Sequence, residues 1–122
     1  KDVVLSAEDD TDLQGFISVY WRREAGYDAY LDNLHVRPGL TGGGLGRKLL
    51  AAAVERMIDH GASNLCLWAF DQNQRAIGFY ERLGGKAVEH GFDDFANANA
   101  PHTRIAWTDL PALVAACRKA AL

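Results

Sequence analysis

The sequence predicts an α/β domain built on a mixed sheet. Three observations carry that reading. Apolar residues alternate at strand spacing in some segments and recur at helical spacing in others. The segments follow the order strand, strand, strand, helix, strand, helix, strand, strand, helix. Five glycines stand within eight residues, Gly39 to Gly46, between the third strand and the first long helix. At 122 residues, with no internal repeat and no linker-like stretch, residues 1–122 read as one domain.

The elements follow in chain order. "VVLSAE" and "LQGFISVYW" predict strands at Val3–Glu8 and Leu13–Trp21, joined by the turn residues "DDTD". "YDAYLDNLHV" predicts a third strand, Tyr27–Val36, which ends at Arg37-Pro38 because a residue before proline is pushed out of helical geometry. Leu45, Leu49, Leu50, Ala53, Val54, Met57 and Ile58 mark one face of a helix from Gly44 to His60, with Gly61 as its stop. "LCLWAF", Leu65–Phe70, is a continuous apolar run, as in a central strand covered on both faces. Asp71 is placed to cap a helix over Gln72–Leu83, which Gly84-Gly85 ends. "KAVEH" and "TRIAWTD" predict two more strands around a long loop, Gly91–Pro101, and Asp109 caps a last helix, "LPALVAACRKAAL". Long loops in small domains are more often functional than not.

Composition narrows the class of function. The chain is 48% hydrophobic and 24% charged, an ordinary globular balance. A net charge of −3 supplies no global field for nucleic acid or an anionic membrane. No apolar run approaches the ~20 residues that cross a bilayer. Cys66 and Cys117 form neither a metal spacing nor a disulfide framework, so they are expected to be buried apolar residues in a reducing cytoplasm. No metal is expected.

The glycine cluster has a physical purpose. Successive main-chain N–H groups, together with the unpaired donors and partial positive charge of a helix start, make a seat for phosphate. Glycine lets a diphosphate approach the backbone without meeting a Cβ. The P-loop pattern fails, because Lys48 follows Arg47 and precedes Leu49; the dinucleotide fingerprint G-x-G-x-x-G fails in every register.

What fits is V-x-P-x-x-[RQ]-x-x-G-x-[GA], and here the chain resembles the GNAT superfamily of N-acetyltransferases. Val36, Pro38, Gly44 and Gly46 match, while Thr41 stands where such proteins usually carry Arg or Gln. "NQRAIGFYERLGGKAV" is similar to the superfamily's second cofactor segment through Asn73, Ala76, Phe79, Tyr80, Leu83 and Gly84. The resemblance spans residues 3–107. It implies a mixed, mostly antiparallel sheet flanked by helices. It also implies that one strand and two helices which usually precede this part are absent.

The resemblance further implies acetyl-CoA as cosubstrate, wedged between the third strand and Leu65–Phe70. Leu34, Val36, Thr41, Gly42, Gly43, Gly44, Leu45, Gly46, Arg47, Asn73, Ala76, Phe79 and Tyr80 would bind it. The implied reaction is direct attack by a primary amine, on a small molecule or a peptide, upon the thioester. Tyr80 would protonate the departing thiolate; Asp32 or His35 would take the amine's proton. Residues three apart on a regular strand face opposite ways, so at most one of that pair is expected at the cleft. His90, His102, Asp93 and Asp94 are weaker candidates for acceptor contacts. A homodimer through an exposed sheet edge also fits, as does a carrier-binding module without turnover, or a partial domain completed by another chain.

Overall fold

The computed structural model describes residues 1–10, 12–40, 44–93 and 100–119. Its elements are β1 (Val3–Glu8), β2 (Leu13–Trp21), β3 (Ala29–Val36), α1 (Leu45–Asp59), β4 (Leu65–Phe70), α2 (Gln74–Arg82), β5 (Lys86–Asp93), β6 (Ala100–Trp107) and α3 (Leu110–Lys119). The six strands form one sheet in the order β1-β2-β3-β4-β6-β5. Every neighbouring pair is antiparallel except β3 and β4, which α1 connects as a crossover.

All three helices feed one core. Ile17, Val19, Ala29, Leu31, Leu65, Leu67, Ile105 and Trp107 of the sheet pack with Leu50, Val54 and Met57 of α1, Tyr80 of α2, and Leu110 and Leu113 of α3. Gly15 makes close stacking possible. A Cβ there would stand 2.7 Å from the His35 carbonyl oxygen and 3.3 Å from the Leu45 and Leu49 side chains. Gly85 does the same where α2 returns to the sheet, since a Cβ would lie 2.6 Å from Ile105 Cγ2.

Two features of β3 shape the site. Its ladder with β4 consists of Ala29–Leu65 and Tyr30–Cys66, and ends there. Beyond Tyr30 the sheet is split, and the main-chain groups of β3 on that side have no strand partner. On its other side β3 pairs with β2, with a register shift: Ser18 opposes Asn33 and Val19 opposes Leu31, leaving Asp32 as an extra residue.

Several expectations need correction. The extra residue resets the alternation of β3, so that Leu31 and Leu34, three apart, both reach the core, while Asp32 and His35 are both exposed. Of that pair only His35 lines the cavity described below. The helix α2 is capped by Asn73, whose side chain accepts from the Ala76 N–H at 3.2 Å. Asp71 instead accepts from Thr103 Oγ1 at 2.7 Å and ties the turn to β6. Much of the expected long loop is strand: Gly91 pairs with His102, Phe92 with Pro101, and Asp93 with Ala100. Only the first half of β4 is covered on both faces, and Phe70 is 48% exposed. Asp109 caps α3 as expected, accepting from the Ala112 N–H at 3.0 Å. Both cysteines are buried and free, and burial pushes their thiols up, Cys66 to about 12 and Cys117 to about 11.

Candidate active site

A cavity of about 410 Å³ opens between the unpaired end of β3, the start of α1 and one face of α2. Leu34, His35 and Val36 form its strand wall. Gly44, Gly46 and Arg47 form its floor at the helix start, beside Leu40. Asn73, Arg75, Ala76, Phe79, Tyr80 and Arg82 line it from α2. Among the described residues none of β4 lines it, and α2 faces β3 across it.

The start of α1 is arranged to leave donors free. Gly44 holds a left-handed conformation, φ 86°, which glycine adopts at little cost. It offers no side-chain cap, and the first turn carries no acidic residue. The first intrahelical bond runs from Lys48 N–H to the Gly44 carbonyl at 3.0 Å. The N–H groups of Leu45, Gly46 and Arg47 therefore find no acceptor among the described residues. Gly46 faces Phe79 and Val36, where an added Cβ would meet ordinary contacts at 3.6 and 3.7 Å.

The charge of the cavity is one-signed. Arg47, Arg75 and Arg82 line it, and among the described residues no carboxylate does. Among the described residues none of the three forms an ion pair, whereas Arg37, Arg104 and Arg118 each have a carboxylate partner. An uncapped helix start and three free guanidinium groups suit a ligand carrying several phosphates.

Tyr80 is buried, with its ring edge-on to Trp107 (5.9 Å) and Phe79 (5.2 Å). Desolvation pushes its phenol up to about 12, so it stays protonated throughout the neutral range. His35 lines the cavity and its ring lies 5.5 Å from that of Phe16. Asp32 is exposed at the bulge beside the split and is not among the lining residues.

Of the residues the sequence singles out, Leu34, His35, Val36, Gly44, Gly46, Arg47, Asn73, Ala76, Phe79 and Tyr80 are brought together. Leu45 is not; it packs toward Gly15 and the core. Thr41, Gly42, Gly43 and Asp94 lie outside the described residues. His90 and His102 sit on the strands away from the cavity, bound to Thr103 Oγ1 (3.1 Å) and stacked edge-on against Trp68 (4.5 Å). Sequence reasoning misses Leu40, Arg75 and Arg82. The signal for the two arginines was present: they stand seven apart on α2, in register with Phe79, and so share its face. Among the described residues no group of three or more His, Cys, Asp or Glu side chains is placed to hold a metal ion. No helix among them is long and apolar enough to cross a membrane.

Comparisons with known proteins show the family and the fold. The model of the acetyltransferase (GNAT) family matches residues 1–85. A bovine thialysine N-epsilon-acetyltransferase is 36% identical over 61 residues, 50% of this chain and 36% of that protein. The uncharacterized N-acetyltransferase YuaI of Bacillus subtilis is 29% identical over 115 residues, 93% of this chain and 66% of its own length. The chain thus spans from about one third to just under two thirds of these relatives. Among solved structures, a Bacillus anthracis protein assigned as a streptothricin acetyltransferase, in complex with acetyl coenzyme A, superposes with a TM-score of 0.77 at 19% identity, over 88% of this chain and 62% of that one.

Proposed function

We propose, from the premise that this chain belongs to the acetyltransferase (GNAT) family, that it transfers the acetyl group of acetyl-CoA to the primary amine of a small molecule or peptide. The observation that carries the proposal is the cavity: an uncapped helix start and three arginines without carboxylate partners converge on it. The residues fit the carrier. Gly44, Gly46 and Arg47 would hold the diphosphate through main-chain donors and one guanidinium. The free edge of β3 at Leu34–Val36 would pair with the amides of the pantetheine arm. The carrier supplies an activated thioester.

The chain's own residues would then do three things. A main-chain N–H of β3 near Leu34 would donate to the oxygen on which charge develops. A base would take the amine's proton as the C–N bond forms: His35 lines the cavity, and Asp32 stands at the bulge where the β3–β4 ladder ends. Tyr80 would donate its proton to the sulfur as the C–S bond breaks. Its phenol, pushed up to about 12 by burial, holds its proton near neutrality and so has one to give.

The test is thiol release from acetyl-CoA with a panel of amines, lysine-like side chains included, on the wild type and on Tyr80→Phe, Asp32→Asn and His35→Gln. Acetylation that drops about a hundredfold in kcat for Tyr80→Phe, and for one of the other two, supports the assignment. Wild-type turnover retained in Tyr80→Phe removes the acid role. Carrier binding without acetylation of any amine would favour a binding module instead. Two buried free thiols suit a reducing cytoplasm, and the β1 edge, with Val4 66% exposed, is where a homodimer would form.

A further inference from the structure

We propose that Thr103 of β6 is a positioning residue for the cavity: its buried hydroxyl grips Asp71 and so sets the turn that delivers Asn73 and the first turn of α2 to the carrier. The inference rests on the carrier reading above and deepens it.

Helix α2 is short and fully buries only Tyr80, near its end. Packing alone therefore holds its first turn weakly. Strand β6 supplies a tether at each end. Past the last turn, Trp107 Nε1 donates to the Leu83 carbonyl at 3.2 Å. Before the first turn, the Asp71 N–H donates to the Pro101 carbonyl at 2.9 Å, and Asp71 Oδ1 accepts from Thr103 Oγ1 at 2.7 Å. The Asn73 N–H donates to the Phe70 carbonyl at 2.8 Å and closes the turn, while the Asp71 carbonyl accepts from the Gln74 side chain. Asn73, Arg75 and Ala76 line the cavity, whereas Asp71, Thr103 and His90 do not. A shift of Asp71 reaches the carrier only through the turn and the helix start.

Proton bookkeeping makes the hydroxyl the hub. Thr103 is 6% exposed and stands between Ala69 of β4 and His90 of β5. A hydroxyl has one proton to give. Thr103 gives it to the Asp71 carboxylate, so His90 Nδ1, 3.1 Å away, is the donor to Oγ1. The chain Asp71–Thr103–His90 thus ties the turn after β4 to both strands of the β5–β6 hairpin. Valine would fill the same space in the sheet but leave the carboxylate without this bond.

The test measures coenzyme A affinity by titration calorimetry on the full chain, together with kcat and KM for acetyl-CoA. Thr103→Val is expected to weaken binding about tenfold, the order of one lost charge-assisted bond. KM for acetyl-CoA rises by a similar factor, while kcat at saturation stays within about twofold, because Tyr80 keeps the tether at Leu83. Thr103→Ser keeps the hydroxyl and restores binding to within about twofold. Asp71→Ala cuts the same link from a partly exposed turn position and matches Thr103→Val. The double variant binds no worse than either single one, since both remove one bond. Asp109→Ala removes the cap of α3, lowers the melting temperature by a few degrees and leaves binding unchanged. Wild-type affinity in Thr103→Val, a loss that serine does not restore, or an equal loss in Asp109→Ala overturns the positioning role and leaves the carrier reading standing. If Thr103→Val does not fold, wild-type affinity in Asp71→Ala overturns it instead. A wild type that binds no coenzyme A overturns both.

Discussion

Two arginine environments divide the molecule. On β6, Arg104 lies between the rings of Tyr27 (5.3 Å) and Trp68 (4.7 Å) and pairs with Glu24 at 3.9 Å and Glu89 at 3.5 Å. Glu24 also accepts from Trp68 Nε1 at 2.9 Å. The buried Nε of Arg104 has no hydrogen-bond partner among the described residues. In the cavity, Arg47, Arg75 and Arg82 have no ring and no carboxylate against them among the described residues. The difference is one of purpose. Arg104 balances its own neighbours and knits β4, β6 and the β2–β3 connection. The cavity arginines have no such partner among the described residues, which suits them to a ligand.

Helix starts repeat the contrast. Asn73 and Asp109 cap α2 and α3 with side-chain oxygens, whereas Gly44 leaves α1 open. Of the three described helices, only α1 presents an uncapped start to the cavity.

The comparison can be broken by separating stability from binding. Arg47→Glu is expected to weaken acetyl-CoA binding about a hundredfold, as reversal of a charge at a diphosphate should, while the melting temperature moves by roughly a degree. Equal binding by the variant in calorimetry would mean that Arg47 has some other partner. Arg104→Met should do the reverse. It strands two partly exposed carboxylates, which costs about 2 kcal/mol after discounting for solvent. Melting should fall by several degrees, with carrier affinity changed less than twofold.

Asn73→Ala removes a cap worth about 1 kcal/mol. A loss of carrier affinity much larger than that loss of stability would show that Asn73 touches the ligand as well as its own helix. The smallest effect near neutrality is on pH dependence. Tyr80, Cys66 and Cys117 all have raised values in the folded state, so folding holds protons that the unfolded chain releases. Their stabilising contribution is complete at pH 7 and is lost as pH rises, from about 9 for the thiols and about 10 for the phenol. A thermal-melt series flat to pH 11 would contradict this. Tyr80→Phe should lessen the decline above pH 10, where Cys66, Cys117 and Tyr30 still contribute.

The fold was largely legible in the sequence because its signals are local. Alternation marked β1 and β2, a continuous apolar run marked β4, and glycine bounded α1. What escaped depends on partners. The bulge at Asp32 exists only in the pairing of β3 with β2, and no property of "YLDNL" alone announces it. Residues Gly91–Asp93 and Ala100–Pro101 read as loop by composition, yet the ladder between β5 and β6 makes them strand. At the site, the glycines and the α2 segment were recognisable from residue type and spacing. Arg75 and Arg82 share a face by their spacing, but an exposed arginine becomes a ligand group only when its helix is docked beside a cavity.

The central claim is that the open start of α1 holds a diphosphate. Titrating the ¹⁵N-labelled chain with coenzyme A and following its amide resonances tests this most directly. The account predicts that the largest shifts fall on the N–H groups of Leu45, Gly46 and Arg47, with smaller ones along the Arg75–Arg82 face of α2. Shifts concentrated around Arg104, or none at saturating carrier, would contradict it.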